Sequence, residues 1–197
     1  TVHAPFWLDY GTSVIPTKRT SLITDPPNGK IPPLTLAAQK KALELEEAKR
    51  RHPADSWLDR SLWERCITRG LPNVMLPDGY NNNVQILQTQ DYVVILNEMI
   101  HDVRIVPLNG ISHLPEHIRQ WRGDSRGRWD GNTLIVKTTN FSDKSDFKGS
   151  RETLHLVERF TRTDASTIQY EFTVEDPTTW TEPWTVELLH TATLVHD

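Results

Sequence analysis

Alternation of apolar and polar positions dominates the chain from about residue 84 onward. Ile168, Tyr170, Phe172 and Val174 fall on one side of an extended segment, with Gln169, Glu171, Thr173 and Glu175 on the other. That is the pattern of a strand with one face in a core. Val84 to Thr89 and Tyr92 to Glu98 read as strands around Gln90-Asp91, and Val103 to Pro107 as another before the Asn109-Gly110 turn. Arg128-Trp129 and Thr133 to Thr139 flank Asp130-Gly131-Asn132, a hairpin signal. Leu154 to Thr161 precedes the clearest strand across Thr163 to Ser166, and Trp184 to Leu189 follows Pro183. Seven or eight antiparallel strands at short spacing predict a mainly β fold rather than an α/β sheet.

The first third of the chain is patterned differently. Residues 1–34 carry Pro5, Pro16, Pro26, Pro27, Pro32 and Pro33, which predicts an extended arm, with Thr17 to Ile23 as a possible edge strand and Asp25 to Gly29 as a turn. From Leu36 to about Arg51 no breaker occurs, Thr35 suits an N-cap, and Leu36, Leu43 and Leu45 form a narrow stripe, so a surface helix is expected there, ended by Pro53. A second helix is predicted from Ser56 to Ile67, because Trp57, Leu58, Leu62 and Cys66 recur at helical spacing; this would bury Cys66. The predicted organisation is an arm (1–34), a helical insert (35–70) and an antiparallel β domain (71–197), folded as one unit. Its sheet is expected to be barrel-like, in the manner of calycins and lipocalins, or a sandwich.

Composition narrows the partners. The 22 Lys and Arg against 26 Asp and Glu give a net charge of -4, which offers nucleic acid no cationic surface. The longest apolar run, Tyr92 to Leu96, is far shorter than the roughly 20 residues of a membrane helix. No basic-then-apolar segment opens the sequence, so any export signal is expected to have been removed before its first residue. The single cysteine excludes an internal disulfide within these residues. Seven Trp supply flat apolar surface suited to cores and to ring or sugar platforms.

Three runs carry a resemblance: Tyr92-Val93-Val94-Ile95-Leu96-Asn97-Glu98-Met99-Ile100-His101-Asp102-Val103-Arg104-Ile105, Gly123-Asp124-Ser125-Arg126-Gly127-Arg128-Trp129-Asp130-Gly131-Asn132-Thr133-Leu134-Ile135-Val136, and Val157-Glu158-Arg159-Phe160-Thr161-Arg162. Together they resemble a family of exported proteins, abundant in soil bacteria, to which no activity is assigned. The similarity runs from about Phe6 to Val186 and implies a periplasmic or secreted location. Family members often carry Asp-Gly-Arg-Pro-His where this chain has Asn109-Gly110-Ile111-Ser112-His113. They also tend to continue past the position of Val186 into a cysteine-bearing segment with a His-Glu-Gly-Asn motif, which these residues do not include; the resemblance implies that a partner for Cys66 belongs there.

Glu98, His101 and Arg104 form the densest polar group beside an apolar run. A carboxylate and an imidazole can share acid and base work while a guanidinium steadies a developing negative charge. The competing reading is that they satisfy one another or the backbone at a strand end. Trp121, Asp124, Ser125 and Arg128 form a second group, as ligand contacts or as turn caps. Asn83, with Asn81 and Asn82, suits a hydroxyl-rich ligand or a plain polar loop. A triad can be written from Ser125, His101 and Asp102, although no Gly-x-Ser-x-Gly elbow accompanies it. His113 and His117 have a metal-like spacing interrupted by Pro115, and no metal or other cofactor is expected. Asn140-Phe141-Ser142 fits a glycosylation sequon.

These features predict an exported β domain that binds a small organic or sugar-like ligand through Trp and Arg contacts. One alternative is a lyase, isomerase or hydrolase using Glu98 and His101. The other is a structural or assembly module, with homo-oligomerisation possible.

Overall fold

The computed structural model describes Leu8 and residues 17–192. Among these residues the chain is mainly β, with nine strands and one α-helix. The strands are β1 (Ile23–Asp25), β2 (Val84–Gln88), β3 (Tyr92–Asn97), β4 (Asp102–Pro107), β5 (Asp124–Asp130), β6 (Thr133–Thr139), β7 (His155–Arg162), β8 (Thr167–Glu175) and β9 (Trp184–Thr191). They form a six-stranded antiparallel sheet ordered β1-β9-β8-β7-β6-β5 and a three-stranded sheet ordered β2-β3-β4. Of the barrel-like and sandwich alternatives, no closed barrel forms among the described residues. β1 and β5 end the larger sheet without pairing to each other, and the β2-β3-β4 unit joins neither edge, so two open sheets result, an arrangement compatible with a sandwich.

Alternation assigns the faces. On β8 Tyr170, Phe172 and Val174 are fully buried, as the spacing predicts, and cross-strand pairing sets them beside Leu188, Val186 and Trp184 of β9. Val93 and Ile95 of β3 and Val106 of β4 complete the same core from the smaller sheet. Phe147 stacks on Trp184 at 5.7 Å between ring centres, and Trp180 meets Trp184 edge-on at 5.5 Å, sealing one end. Asp176, at the close of β8, accepts hydrogen bonds from Ser150 Oγ (2.5 Å), Thr153 Oγ1 (3.0 Å), Thr178 N (2.9 Å) and Thr179 Oγ1 (2.7 Å), and so fastens two loops there.

The helical region departs from expectation in one half. Helix α1 (Leu36–Arg51) forms with Thr35 accepting from Ala38 N at 3.1 Å, and none of its residues is buried. The helix predicted from Ser56 to Ile67 does not form. Ser56 and Asp59 build a capping box that closes only a single 3-10 turn over Trp57–Asp59, and Arg60 leaves it extended. Trp57 and Leu58 are exposed, so no packed face rewards a longer helix. Cys66 is exposed and takes a left-handed φ of 53°, which corrects the expectation that it is buried. The edge strand predicted over Thr17 to Ile23 lies slightly later, as β1, and the rest of the predicted arm falls largely outside the described residues.

Candidate functional site

β4 ends the smaller sheet, β5 ends the larger one, and these two free edges face each other. They close together where Gly127 of β5 meets β4. A Cβ at this position would stand 2.7 Å from Val106 Cγ1 and 2.8 Å from Leu108 Cδ2, so the approach requires glycine. Beside this closure a cleft of about 820 Å³ opens, lined by residues 103–105, 107, 119–126 and 142–144. That volume is in the range of small-molecule sites.

A tight turn presents Trp121 to the cleft. Gly123 N donates to Gln120 O at 3.1 Å, and Gly123 has a φ of 67°. A side chain at Gly123 would meet Thr139 O at 2.5 Å. The turn is tied down by Gln120 N to Asn140 O (3.0 Å) and by Ser145 Oγ to Trp121 O (2.5 Å), while the Trp121 side chain remains 39% exposed. Asn140 is buried and donates to the carbonyls of Leu114, Pro115 and Ile118, which makes the sequon asparagine a loop anchor.

Several cations line the same cleft as Trp121. Arg122 pairs with buried Asp102, which also accepts from Thr68 Oγ1 at 2.7 Å, and burial pushes the Arg122 guanidinium below its usual pKa. Arg126 pairs with Asp124 at 2.6 Å. Arg119 donates to the carbonyl oxygens of Phe141 and Glu152, at 3.2 and 2.8 Å, so no carboxylate neutralises it among the described residues. Lys144 forms no ion pair there either. Val103, Ile105 and Pro107 supply an apolar wall.

The structure brings Arg104, Trp121, Asp124 and Ser125 to this cleft and places the other expected residues elsewhere. Arg104 crosses between the sheets to grip Glu158 of β7 with both terminal nitrogens, and Tyr170 Oη donates to the same carboxylate at 2.7 Å. Burial opposes the Arg104 charge, but the adjacent Glu158 outweighs it and raises the pKa. The Tyr170 hydroxyl is pushed well up by burial and by Glu158, with Arg104 acting the other way. Asp124 is buried and holds His113 Nδ1 at 3.0 Å and Leu114 N at 2.9 Å, so the carboxylate fixes the proton on Nδ1. Ser125 Oγ bonds Thr138 Oγ1 at 2.9 Å.

Glu98 and His101 occupy the exposed connection between β3 and β4, where Ile100 and His101 take left-handed φ values of 61° and 53°. Glu98 accepts from Asn83 Nδ2 at 2.8 Å, and neither Glu98 nor His101 lines the cleft. Arg128 is exposed on β5, also outside it. The Ser125–His101–Asp102 triad is not assembled, because Ser125 and Asp102 are engaged with Thr138, Thr68 and Arg122. No cluster of metal-binding side chains occurs among the described residues. Arg119, Arg122, Lys144 and Glu158 were not expected at the site or in its support; the run Arg119-Gln120-Trp121-Arg122 was the readable signal for the first two.

No family model matches the chain, and no curated protein or solved structure is similar to it. No helix among the described residues is long and apolar enough to cross a membrane.

Proposed function

We propose that this chain is a binding module of an exported protein family and that the cleft between β4 and β5 takes a small anionic organic ligand with a flat ring, such as an acidic sugar or an aromatic carboxylate. The observation that carries the reading is Trp121: its half-exposed indole, held by an anchored turn, shares the cleft with Arg119 and Lys144, whose charges meet no carboxylate partner among the described residues. A ring stacks on the indole face while its acid group takes charge-assisted hydrogen bonds from the cations. Val103 and Ile105 add apolar surface to the same cleft. The periplasmic or secreted setting follows from the resemblance of the three sequence runs. Neither Glu98 nor His101 lines the cleft, so the geometry favours binding over acid–base turnover.

Calorimetry with glucuronate, benzoate and neutral glucose tests this. Binding is expected for an acid and not for glucose. Removing one charge-assisted contact with Arg119→Gln is expected to weaken it roughly ten- to a hundredfold, and Trp121→Ala is expected to abolish it. Failure of both acids to bind, or equal affinity in the Trp121→Ala variant, refutes the reading.

A further inference from the structure

A second cleft, of about 920 Å³, opens between helix α1 and residues 58–65, and Lys144 lines it as well as the first. The two clefts share a wall. Thr68 lines the second and donates from Oγ1 to Asp102, whose other oxygen pairs with Arg122 of the first. Ser145, also of the second cleft, donates to the Trp121 carbonyl at 2.5 Å. Each cleft holds a half-exposed indole: Trp63, 44% exposed and with the Arg69 guanidinium 5.2 Å from its ring centre, stands in the second as Trp121 does in the first. Every carboxylate of the second cleft is engaged. Asp59 accepts from Ser56 N at 2.6 Å, Glu64 meets Arg60 at 3.1 Å and Asp146 faces Arg151 at 3.5 Å. Lys49 and Arg65, like Lys144 and Arg119, form no ion pair among the described residues. Against them stands Asp143, an exposed carboxylate of the first cleft that accepts from Ser142 Oγ at 3.3 Å.

We propose, building on the ligand reading of the first cleft, that the two clefts are halves of one groove and that its ligand is an acidic oligosaccharide. One sugar ring stacks on Trp121 and another on Trp63, and a carboxylate between them takes a charge-assisted hydrogen bond from Lys144, the residue common to both clefts. Each cleft alone has the volume of a small-molecule site, so the pair offers more room than a single ring acid fills. Once one ring is seated, the second contact is intramolecular, and affinity rises with chain length. The unpaired cations are few and the chain's net charge is -4, which disfavours a strand bearing a phosphate on every unit and suits a polymer whose sparser charges are carboxylates.

Calorimetry with galacturonate and its linear dimer, tetramer and hexamer reads the length dependence directly. The hexamer is expected to bind at least about tenfold more tightly than the monomer. Trp63→Ala is expected to weaken hexamer binding about tenfold and Lys49→Gln about fivefold, while both leave monomer binding within about twofold of the parent. Lys49 is exposed on α1, so its variant removes a charge without touching the core. Trp121→Ala is expected to weaken monomer and hexamer alike. A hexamer that binds no more tightly than the monomer, or whose affinity is unchanged in either the Trp63 or the Lys49 variant, overturns the shared groove and leaves the single-cleft reading standing. If neither monomer nor hexamer binds, both readings fall. An oligothymidylate of the same length that binds more tightly than the hexamer overturns the choice of a sugar acid.

Discussion

Replacing Arg104 by Met isolates the contact that joins the two sheets. Glu158 is fully buried, and among the described residues its carboxylate is held by Arg104 and the Tyr170 hydroxyl alone. Methionine keeps most of the volume of the arginine stem but leaves the carboxylate with one donor. Breaking a buried pair by removing one partner costs about 3 to 5 kcal/mol. For a chain of this size each kcal/mol moves the melting temperature by about 2 to 4 °C, so Arg104→Met is expected to melt roughly 6 to 20 °C lower. The double variant Arg104→Met/Glu158→Gln removes the stranded charge and is expected to recover at least half of the loss, a coupling of more than 1 kcal/mol in a double-mutant cycle. Differential scanning calorimetry on the four proteins gives the cycle. A loss below 1 kcal/mol for the single variant, or a double variant that melts at the sum of the two single losses, would refute the view that Arg104 and Glu158 act as a unit.

Gly123 and Gly131 both have positive φ, but only Gly123 is crowded, so Gly123→Ala is expected to cost at least 2 kcal/mol and Gly131→Ala about 1, compared by urea unfolding. Burial lowers the pKa of His190 below its usual 6.5, so the unfolded chain takes up the proton first as pH falls. Stability is therefore expected to decline below about pH 6.5, and thermal melts of His190→Phe from pH 7.5 to 5 should show a shallower decline; an unchanged slope counts against it. Cys66 is exposed, and a thiol reagent is expected to label it in the native state as fast as after unfolding; strong native protection would contradict its placement.

The strands were legible because burial on one face imposes a period of two, and Ile168 to Glu175 displays it without interruption. The segment Ser56 to Ile67 misleads for the converse reason: helical spacing of Trp57, Leu58, Leu62 and Cys66 specifies a helix only if something packs on that stripe, and Trp57 and Leu58 face solvent. Arg104 stood out as a charge within an apolar run, but its partner lies 54 positions away on β7. Inward alternation of Leu156, Glu158 and Phe160 marks Glu158 as the complementary buried charge, a signal that lies in no single local motif. The cleft itself depends on where two sheet edges come together, which strand patterns do not specify. Trp121 was identifiable from its setting; the contribution of Lys144 was not.

Strand order also has a kinetic consequence. β5 to β9 are neighbours in the sheet in the order they follow in the chain, so their pairings are more local in sequence than that of β1 and can form before it. β1 is the exception, since Ile23 pairs with Val186 from the far end of the chain. Its three residues add little buried surface, and Arg19 to Glu187 at 2.6 Å is an ion pair at the same margin. Docking of this segment is thus expected to be late and easily reversed, and its release would uncover the β9 edge while leaving the sheet of β5 to β9 intact. Amide exchange along β9 should be fastest on the side that β1 covers.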